Sequence, residues 1–175
     1  MLRQRLYLLV VLTATLSAQT LEPPVLPAGA QAISVTPDGA VKLKFHFVAV
    51  GKQVYQCENG AWSKSAVPDA TLYDMDSNLK IRHSAGPTWT MMDGKSVGVI
   101  KGIGSTAIHF PAPDGVSIDW LRLEVDKPSR TGEFSDVGIV QRLYTGGGKA
   151  PATGCSGGQV YESPYTAHYY FWIVR

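Results

Sequence analysis

Val41-Lys42-Leu43-Lys44-Phe45-His46-Phe47 alternates apolar and polar side chains without interruption. Because successive side chains of a strand point to opposite faces, this period of two predicts a half-buried β-strand. The same alternation returns near the end of the chain, in one phase of residues 165–173: Tyr165, Ala167, Tyr169, Phe171 and Ile173. Both ends of the domain therefore favour β-structure.

Segments of similar character fill the region between them and are separated by turn residues: 54–57, 72–73, 79–83, 88–92, 96–101, 118–125 and 137–144. Asp93-Gly94 lies between two of these segments and suits the positive φ angles of a two-residue hairpin. No window has a convincing helical stripe, and 18 Gly and 11 Pro residues interrupt the pattern. We therefore predict a single all-β domain, an antiparallel sandwich or barrel of about eight to ten short strands.

Residues 1–18 have the three parts of a secretory signal. Arg3 and Arg5 are positive, residues 6–16 are apolar, and Ser17-Ala18 supplies small residues for cleavage. The apolar run is shorter than the roughly 20 residues that span a bilayer. We expect export to the periplasm or the medium with cleavage after Ala18, the alternative being an uncleaved amphipathic anchor. Residues 19–39 are predicted to be an extended, Pro-rich lead-in, and residues 40–175 the β domain.

The charge of the exported chain argues against one class of partner. Without Arg3 and Arg5 the 16 basic residues fall to 14, which equals the number of acidic residues, 14. A near-neutral chain lacks the excess of positive charge that binding to nucleic acid needs. We therefore expect no nucleic-acid partner, and no transmembrane segment in the mature chain.

Cys57 and Cys155 are the only cysteines. In an oxidising compartment such a pair usually forms a disulfide, and one that closes a loop of roughly 100 residues contributes on the order of 4 kcal/mol. The alternative is a catalytic Cys155, because Gly154-Cys155-Ser156-Gly157-Gly158 is superficially similar to protease motifs. A nucleophilic thiol would have to escape oxidation by Cys57, so we predict the disulfide.

Two motifs fall short of cofactor sites. Residues 102–107, GIGSTA, match the dinucleotide fingerprint, but Pro111 and Pro113 follow where the fingerprint requires a helix. Residues 74–78 begin like a calcium-binding loop but lack its Gly and its final Glu, so a hairpin turn is favoured over weak calcium binding. The four His residues show no compact ligand spacing. We predict no cofactor and no metal site.

His83 ends a predicted strand and precedes a tight turn that leads into Trp89. An imidazole there can serve as a ligand, a proton carrier or a capping donor. The four tryptophans offer a sugar-stacking platform, although large aromatic residues in sheets belong more often to the core: Trp62, Trp89, Trp120 and Trp172.

A series of strings in fixed order carries a resemblance: residues 53–57, 72–74, 83–89, 93–94, 120–121, 139–142, 146–147, 154–155, 164–167 and 169–171. With them the chain resembles the exported bacterial and fungal family catalogued as domain of unknown function 3455, over roughly residues 30–172. The resemblance implies a secreted, mostly β protein, and it strengthens the disulfide because the family has cysteines at these places. Some fungal members carry the label malate dehydrogenase, which the failed dinucleotide match does not support.

The matching strings contain more polar side chains than packing requires, and they supply the ligand-binding candidates: His83, Trp89, Asp93, Gln141, Arg142 and Tyr165. If these converge at one end of the sheet, they form a pocket for a saccharide or a small ligand. The alternative is that Gln141 and Arg142 form a buried polar knot between strands.

We expect an exported protein that binds a saccharide, a cell-envelope component or a small ligand. The alternative function is a secreted enzyme acting on a carbohydrate or a related small substrate, with His83 and a carboxylate as acid and base. No sequence motif identifies catalytic residues.

Overall fold

The computed structural model describes residues 21–74, 79–92 and 98–175. Its architecture is all-β, as predicted, and the described part contains ten strands and no α-helix: β1 Val41–Glu58, β2 Ala61–Trp62, β3 Val67–Tyr73, β4 Lys80–Ser84, β5 Thr88–Met91, β6 Val99–Lys101, β7 Ile108–Phe110, β8 Trp120–Glu124, β9 Val137–Gly147 and β10 Val160–Val174. Short 3-10 helices occur at Gln31–Ile33, Gly104–Thr106, Lys127–Ser129 and Gly132–Phe134. None of the helices in this part of the chain is long and apolar enough to cross a membrane.

The strands form one antiparallel sheet in the order β6-β5-β4-β3-β1-β10-β9-β8-β7, with β2 paired to β1 beside it. The long strands β1 and β10 lie at its centre and pair from Val41–Val174 to Gln56–Val160. The sheet curls so far that its edge strand β6 reaches β8 near the other edge. A bridge between Gly102, just after β6, and Val125, just after β8, marks this contact. The backbone N–H of Ile103 donates to the carbonyl of Glu124 at 2.8 Å and extends this contact.

Curling gives the sheet a concave face that carries the main core. Its members come from strands all along the sheet: Phe47, Leu72, Ile81, Trp89, Ile100, Val140, Tyr169 and Phe171 are among them. The pairing of β1 with β10 shifts register between Leu43 and Phe45. As a result, Phe45 packs against this core, whereas Leu43 packs against a second cluster on the opposite face. The uniform alternation of residues 41–47 did not predict this bulge.

The second cluster lies on the convex face of β8, β9 and β10 and includes Trp120, Leu143, Tyr170 and Trp172. The segment that precedes β1 covers it, since Ala30 and Ile33 belong to the same cluster and are fully buried. Both faces of β10 are therefore buried over residues 169–172. The lead-in predicted for residues 19–39 is described from residue 21 onward, and this part contains a 3-10 turn at Gln31–Ile33 and no strand.

A disulfide joins Cys57, near the end of β1, to Cys155 in the segment between β9 and β10. This confirms the predicted pairing and leaves no free cysteine. The predicted signal sequence of residues 1–18 lies outside the described residues, as do residues 75–78 of the turn after β3 and the Asp93-Gly94 hairpin.

Candidate functional site

One row of side chains crosses the concave face of the sheet at its more polar end. Cross-strand pairs link Tyr165 to Gly51, Gly51 to Ala70, Ala70 to His83, and His83 to Trp89. The centre of this row has little or no side chain, and the backbones approach so closely that a β-carbon on Gly51 would overlap Ala70. Of the large side chains in this row, His83 and Trp89 border a hollow in the sheet, whereas Tyr165 does not.

This hollow is a cavity of about 280 Å³, called here the inner cavity. Leu121 and Leu123 of β8 and Ala107 contribute apolar walls, while Trp89 and Tyr169 contribute aromatic ones. The polar side chains of Gln53, His83 and Arg142 also line it. Mostly apolar walls with a few polar groups are the usual composition of a small-molecule site.

His83 is buried and has a defined proton position. Its Nδ1 lies 3.0 Å from the carbonyl oxygen of Thr88, and because a carbonyl can only accept, Nδ1 carries the proton. In the neutral ring Nε2 is then a hydrogen-bond acceptor. Burial lowers the pKa of His83 to about 4, and the charge of Arg142 acts in the same direction. His83 is therefore neutral near pH 7, with its ring stacked on Trp89 at 4.6 Å between centroids.

Arg142 brings a positive charge to the same cavity. Its Nε and Nη2 donate to the backbone carbonyl of Asp119, at 3.2 and 2.8 Å. The ion pairs found among the described residues involve other side chains, so within this part of the chain no carboxylate neutralises Arg142. A guanidinium that is bound to a neutral carbonyl keeps its full charge.

Two further residues that line the inner cavity each carry a buried, inaccessible nitrogen without a satisfied hydrogen bond among the described residues. The indole N–H of Trp89 has no partner among the described residues, and neither has the amide nitrogen of Gln53 at acceptable geometry, although that amide lies near the Tyr165 hydroxyl. Both side chains are almost completely buried. Buried donors are normally paired, and leaving one unpaired costs about 1–3 kcal/mol.

A second cavity, of about 350 Å³, adjoins the first and is called here the mouth cavity. The two share Gln53, Ala66, Leu121 and Arg142 in their walls. Lys64 and Lys149 also line the mouth cavity, with Asp119 as its carboxylate. Oδ2 of Asp119 lies 3.5 Å from Nδ1 of His109, so this acid already has a neighbour.

The structure brings three of the predicted site residues together at the inner cavity: His83, Trp89 and Arg142. Tyr165 lies behind its wall, with its hydroxyl 3.4 Å from that of Tyr169. Burial raises the pKa of the Tyr165 hydroxyl well above its usual range. Asp93 lies outside the described residues.

Gln141 lies on the opposite face of the sheet and does not reach the cavity. Its amide nitrogen donates to the Ile33 carbonyl at 2.6 Å, and its amide oxygen accepts from the indole N–H of Trp172 at 2.7 Å. The alternative of a buried polar knot therefore describes the surroundings of Gln141. Arg142, one residue later, faces the other way because successive strand residues alternate between faces.

Gln53 and Tyr169 line the inner cavity but were not among the sequence candidates. Gln53 follows Phe47, Ala49 and Gly51 in the inward phase of β1, where a buried face otherwise carries apolar or small side chains. A polar residue at an inward-facing position of the strand could have identified Gln53 as a candidate. Nothing in the sequence indicated that Tyr169 lines a cavity, because its place in the alternating pattern of the strand is that of an ordinary core aromatic residue.

The other proposed chemistries find little support at this place. Trp89, Trp120 and Trp172 are buried, so they form no exposed platform for a sugar chain. Among the described residues, no carboxylate lines the inner cavity with His83, whose ring proton is held by Thr88. The same part of the chain contains no group of three or more His, Cys, Asp or Glu side chains able to hold a metal ion.

Comparisons with known proteins give one match. The model of a family described as "Protein of unknown function (DUF3455)" matches residues 37–173, which include all ten strands except the last residue of β10. No curated protein and no solved structure matches this chain.

Proposed function

We propose that this chain, which belongs to the DUF3455 family, is an exported binding protein that holds one small molecule in the inner cavity. The observation that carries the proposal is the composition of the cavity wall. Apolar and aromatic side chains border a volume of about 280 Å³ together with the polar side chains of His83, Gln53 and Arg142. A wall of this kind offers a ligand both apolar contact and a small set of directional polar contacts.

A small molecule fits this site better than a long polysaccharide. The tryptophan nearest to the cavity, Trp89, is only 1% exposed and is covered by the sheet around it. A polymer needs a long open groove with exposed stacking surfaces, whereas the aromatic side chains of this cavity, Trp89 and Tyr169, are almost completely buried. The proposal includes single sugars and other small compounds as ligands.

The test is a fragment screen by nuclear magnetic resonance, with neutral, anionic and saccharide fragments added to the isotope-labelled protein. The indole N–H of Trp89 is the reporter because the Trp89 side chain lines the cavity and its ring stacks on that of His83. At least one fragment is expected to shift this signal in a saturable way. A complete lack of saturable shifts at Trp89 across the screen would count against a binding function.

A blocking variant makes the screen specific for the cavity. Ala66 lines both cavities, so Ala66→Trp places an indole in the passage between them. Ala152→Trp adds the same side chain at an exposed position outside both cavities and is the matched control. Binding should be lost in the first variant and kept in the second. Shifts that persist in Ala66→Trp would place the ligand elsewhere.

Export is the second part of the proposal. The Cys57–Cys155 disulfide supports it, because structural disulfides persist in oxidising compartments. The test is the mass of the protein recovered from the periplasm or the medium of cells that express the full chain. The expected N-terminal residue is Gln19, after removal of residues 1–18. Protein that stays inside the cell with residues 1–18 intact would contradict export.

A further inference from the structure

The charge of Arg142 restricts what the inner cavity can bind. A partly buried guanidinium gains most from a charged partner, and a carboxylate matches its paired N–H groups in geometry. Among the described residues no carboxylate pairs with Arg142, and the inner cavity has none in the described part of its wall. The Asp119 carbonyl fixes the position of the guanidinium without cancelling its charge. A bound anion would supply the missing partner.

The remaining polar groups of the wall favour the same kind of ligand. The unpaired nitrogens of Gln53 and Trp89 are donors of side chains that line the cavity, although neither nitrogen is itself accessible from it. A carboxylate offers only acceptors and can take several N–H groups at once.

His83 provides the complementary group. Because Nδ1 donates to Thr88, Nε2 of the neutral ring accepts. A ligand that carries a hydroxyl as well as a carboxylate can donate to this nitrogen. The stacked rings of His83 and Trp89 are nearly parallel, at 3° between planes, and with the Tyr169 ring they give the cavity flat aromatic surfaces. Flat apolar ligands pack well against such surfaces.

The mouth cavity has the matching charge. Lys64 and Lys149 line it together with Arg142, whereas Asp119 is the one carboxylate in the described part of its wall. An excess of positive charge at the entrance raises the local concentration of anions and speeds their association. The whole chain without its signal is near neutral, so this charge is local to the entrance.

We infer that the inner cavity binds a small organic acid with a flat apolar body, whose carboxylate pairs with Arg142 and whose hydroxyl donates to His83. The inference rests on the proposed binding function and names the class of its ligand. Hydroxybenzoates are the simplest compounds of this class. They are probes for the site, chosen for their chemistry.

The experiment compares acids with amides of the same shape. The probes are benzoate, 3-hydroxybenzoate and 4-hydroxybenzoate, each paired with its benzamide, and affinities are measured at pH 7 by titration of the Trp89 indole signal. At least one hydroxybenzoate is expected to bind about 10-fold or more tightly than its amide, since hydrogen bonds to charged groups are worth about twice neutral ones. It should also bind more tightly than benzoate.

Variants assign the preference to Arg142. Arg142→Gln should lower the affinity for the acid by about 10- to 100-fold and the affinity for the amide by less than about 3-fold. Arg142→Lys should restore part of the preference for the acid over the amide. Arg122→Gln is the matched control, because Arg122 lies on neighbouring β8 and lines a different cavity. It should leave both affinities unchanged. The acid–amide comparison on the natural chain needs no variant, so a failure of Arg142→Gln to fold leaves the test intact.

Two outcomes overturn the inference, and they differ in what they say of the proposed function. If the amides bind as tightly as the acids, or Arg142→Gln weakens both equally, the ligand is not an acid although the cavity binds small molecules. If none of the six probes shifts Trp89, the inference also fails. The wider fragment screen then decides the binding function, because neutral fragments or sugars that shift Trp89 would uphold it.

Discussion

Gln141 and Arg142 follow each other on β9 but lie in opposite kinds of environment. On the convex face, the amide of Gln141 has a partner for its donor and its acceptor, Ile33 and Trp172. On the concave face, Arg142 has no carboxylate partner within the described chain, and the neighbouring Trp89 and Gln53 hold unpaired donors. The same residue types, Trp and Gln, occur on both faces.

The difference teaches how to separate structural polar groups from functional ones. A polar group that serves the fold alone is expected to be fully satisfied, because an unsatisfied one lowers stability without compensation. Unpaired donors occur on both faces, since the indole N–H of Trp120 in the convex cluster also lacks a partner among the described residues. The contrast is therefore that Arg142 lines a cavity, whereas the amide of Gln141 is bound by Ile33 and Trp172. Substitution of polar residues on the convex face should therefore lower stability, and substitution of polar residues on the concave face should lower the affinity for a ligand.

The largest effect is expected for Gln141→Leu. This substitution removes the partners of two buried groups, the Ile33 carbonyl and the Trp172 indole N–H, so it should lower the free energy of unfolding by about 4 kcal/mol. Urea unfolding measures the loss. Gln56→Leu, at an exposed position of β1, is the control and should change stability by less than about 0.5 kcal/mol. Equal stabilities for the two variants would mean that the convex face is not held by these bonds.

The next effect concerns His83 on the concave face and appears as a dependence on pH. Burial lowers its pKa to about 4, while a histidine in the unfolded chain titrates near 6.5. Between these values the unfolded state binds more protons than the folded state, so stability falls as the pH drops from about 7 to 4, by about 3 kcal/mol. Below pH 4 His83 is protonated in the folded state as well, so it causes no further loss of stability.

Urea unfolding at a series of pH values tests this expectation. His83→Gln should reduce the slope of stability against pH between 7 and 4. Gln56→Leu, which removes no titratable group, should leave that slope as it is. A slope that persists in His83→Gln would assign the acid sensitivity to other groups.

The two buried tryptophans allow a direct comparison of the faces. Trp172→Phe leaves the amide oxygen of Gln141 without its donor, whereas Trp89→Phe removes an N–H group that has no partner. Both substitutions remove the same volume from a fully buried side chain. The cost should therefore be larger for Trp172→Phe, by about 1–2 kcal/mol. Equal costs in thermal or urea unfolding would remove the distinction between the faces.

The sequence was sufficient for the class of fold because the alternation of side chains is a local signal. Segments 79–83, 118–125 and 137–144 all correspond to strands, and the cysteine pair identified the disulfide. The curl of the sheet could not be predicted in the same way. It depends on the contact between Gly102 and Val125, and on the bulge between Leu43 and Phe45, neither of which interrupts the local pattern.

The same limit explains the outcome for the site. His83, Trp89 and Arg142 stood out by residue type and lie at the inner cavity. Gln141 stood out for the same reason but lies on the opposite face, because the face of a residue depends on the register of β9 with β8 and β10. Gln53 was missed although it is polar in an inward phase. Residue type alone therefore identified polar candidates but not the side of the sheet on which they act.

The smallest effect on stability, and the most informative, is expected for Gln53→Met. The variant replaces a buried, unpaired amide with an apolar side chain of similar length, so stability should stay within about 1 kcal/mol of the natural chain or rise slightly. If the amide serves a ligand, the same variant should weaken the binding of any acid found to shift Trp89. Urea unfolding and titration of the Trp89 signal measure the two quantities on one sample. A loss of several kcal/mol with unchanged binding would show that Gln53 belongs with Gln141 among the residues that hold the fold.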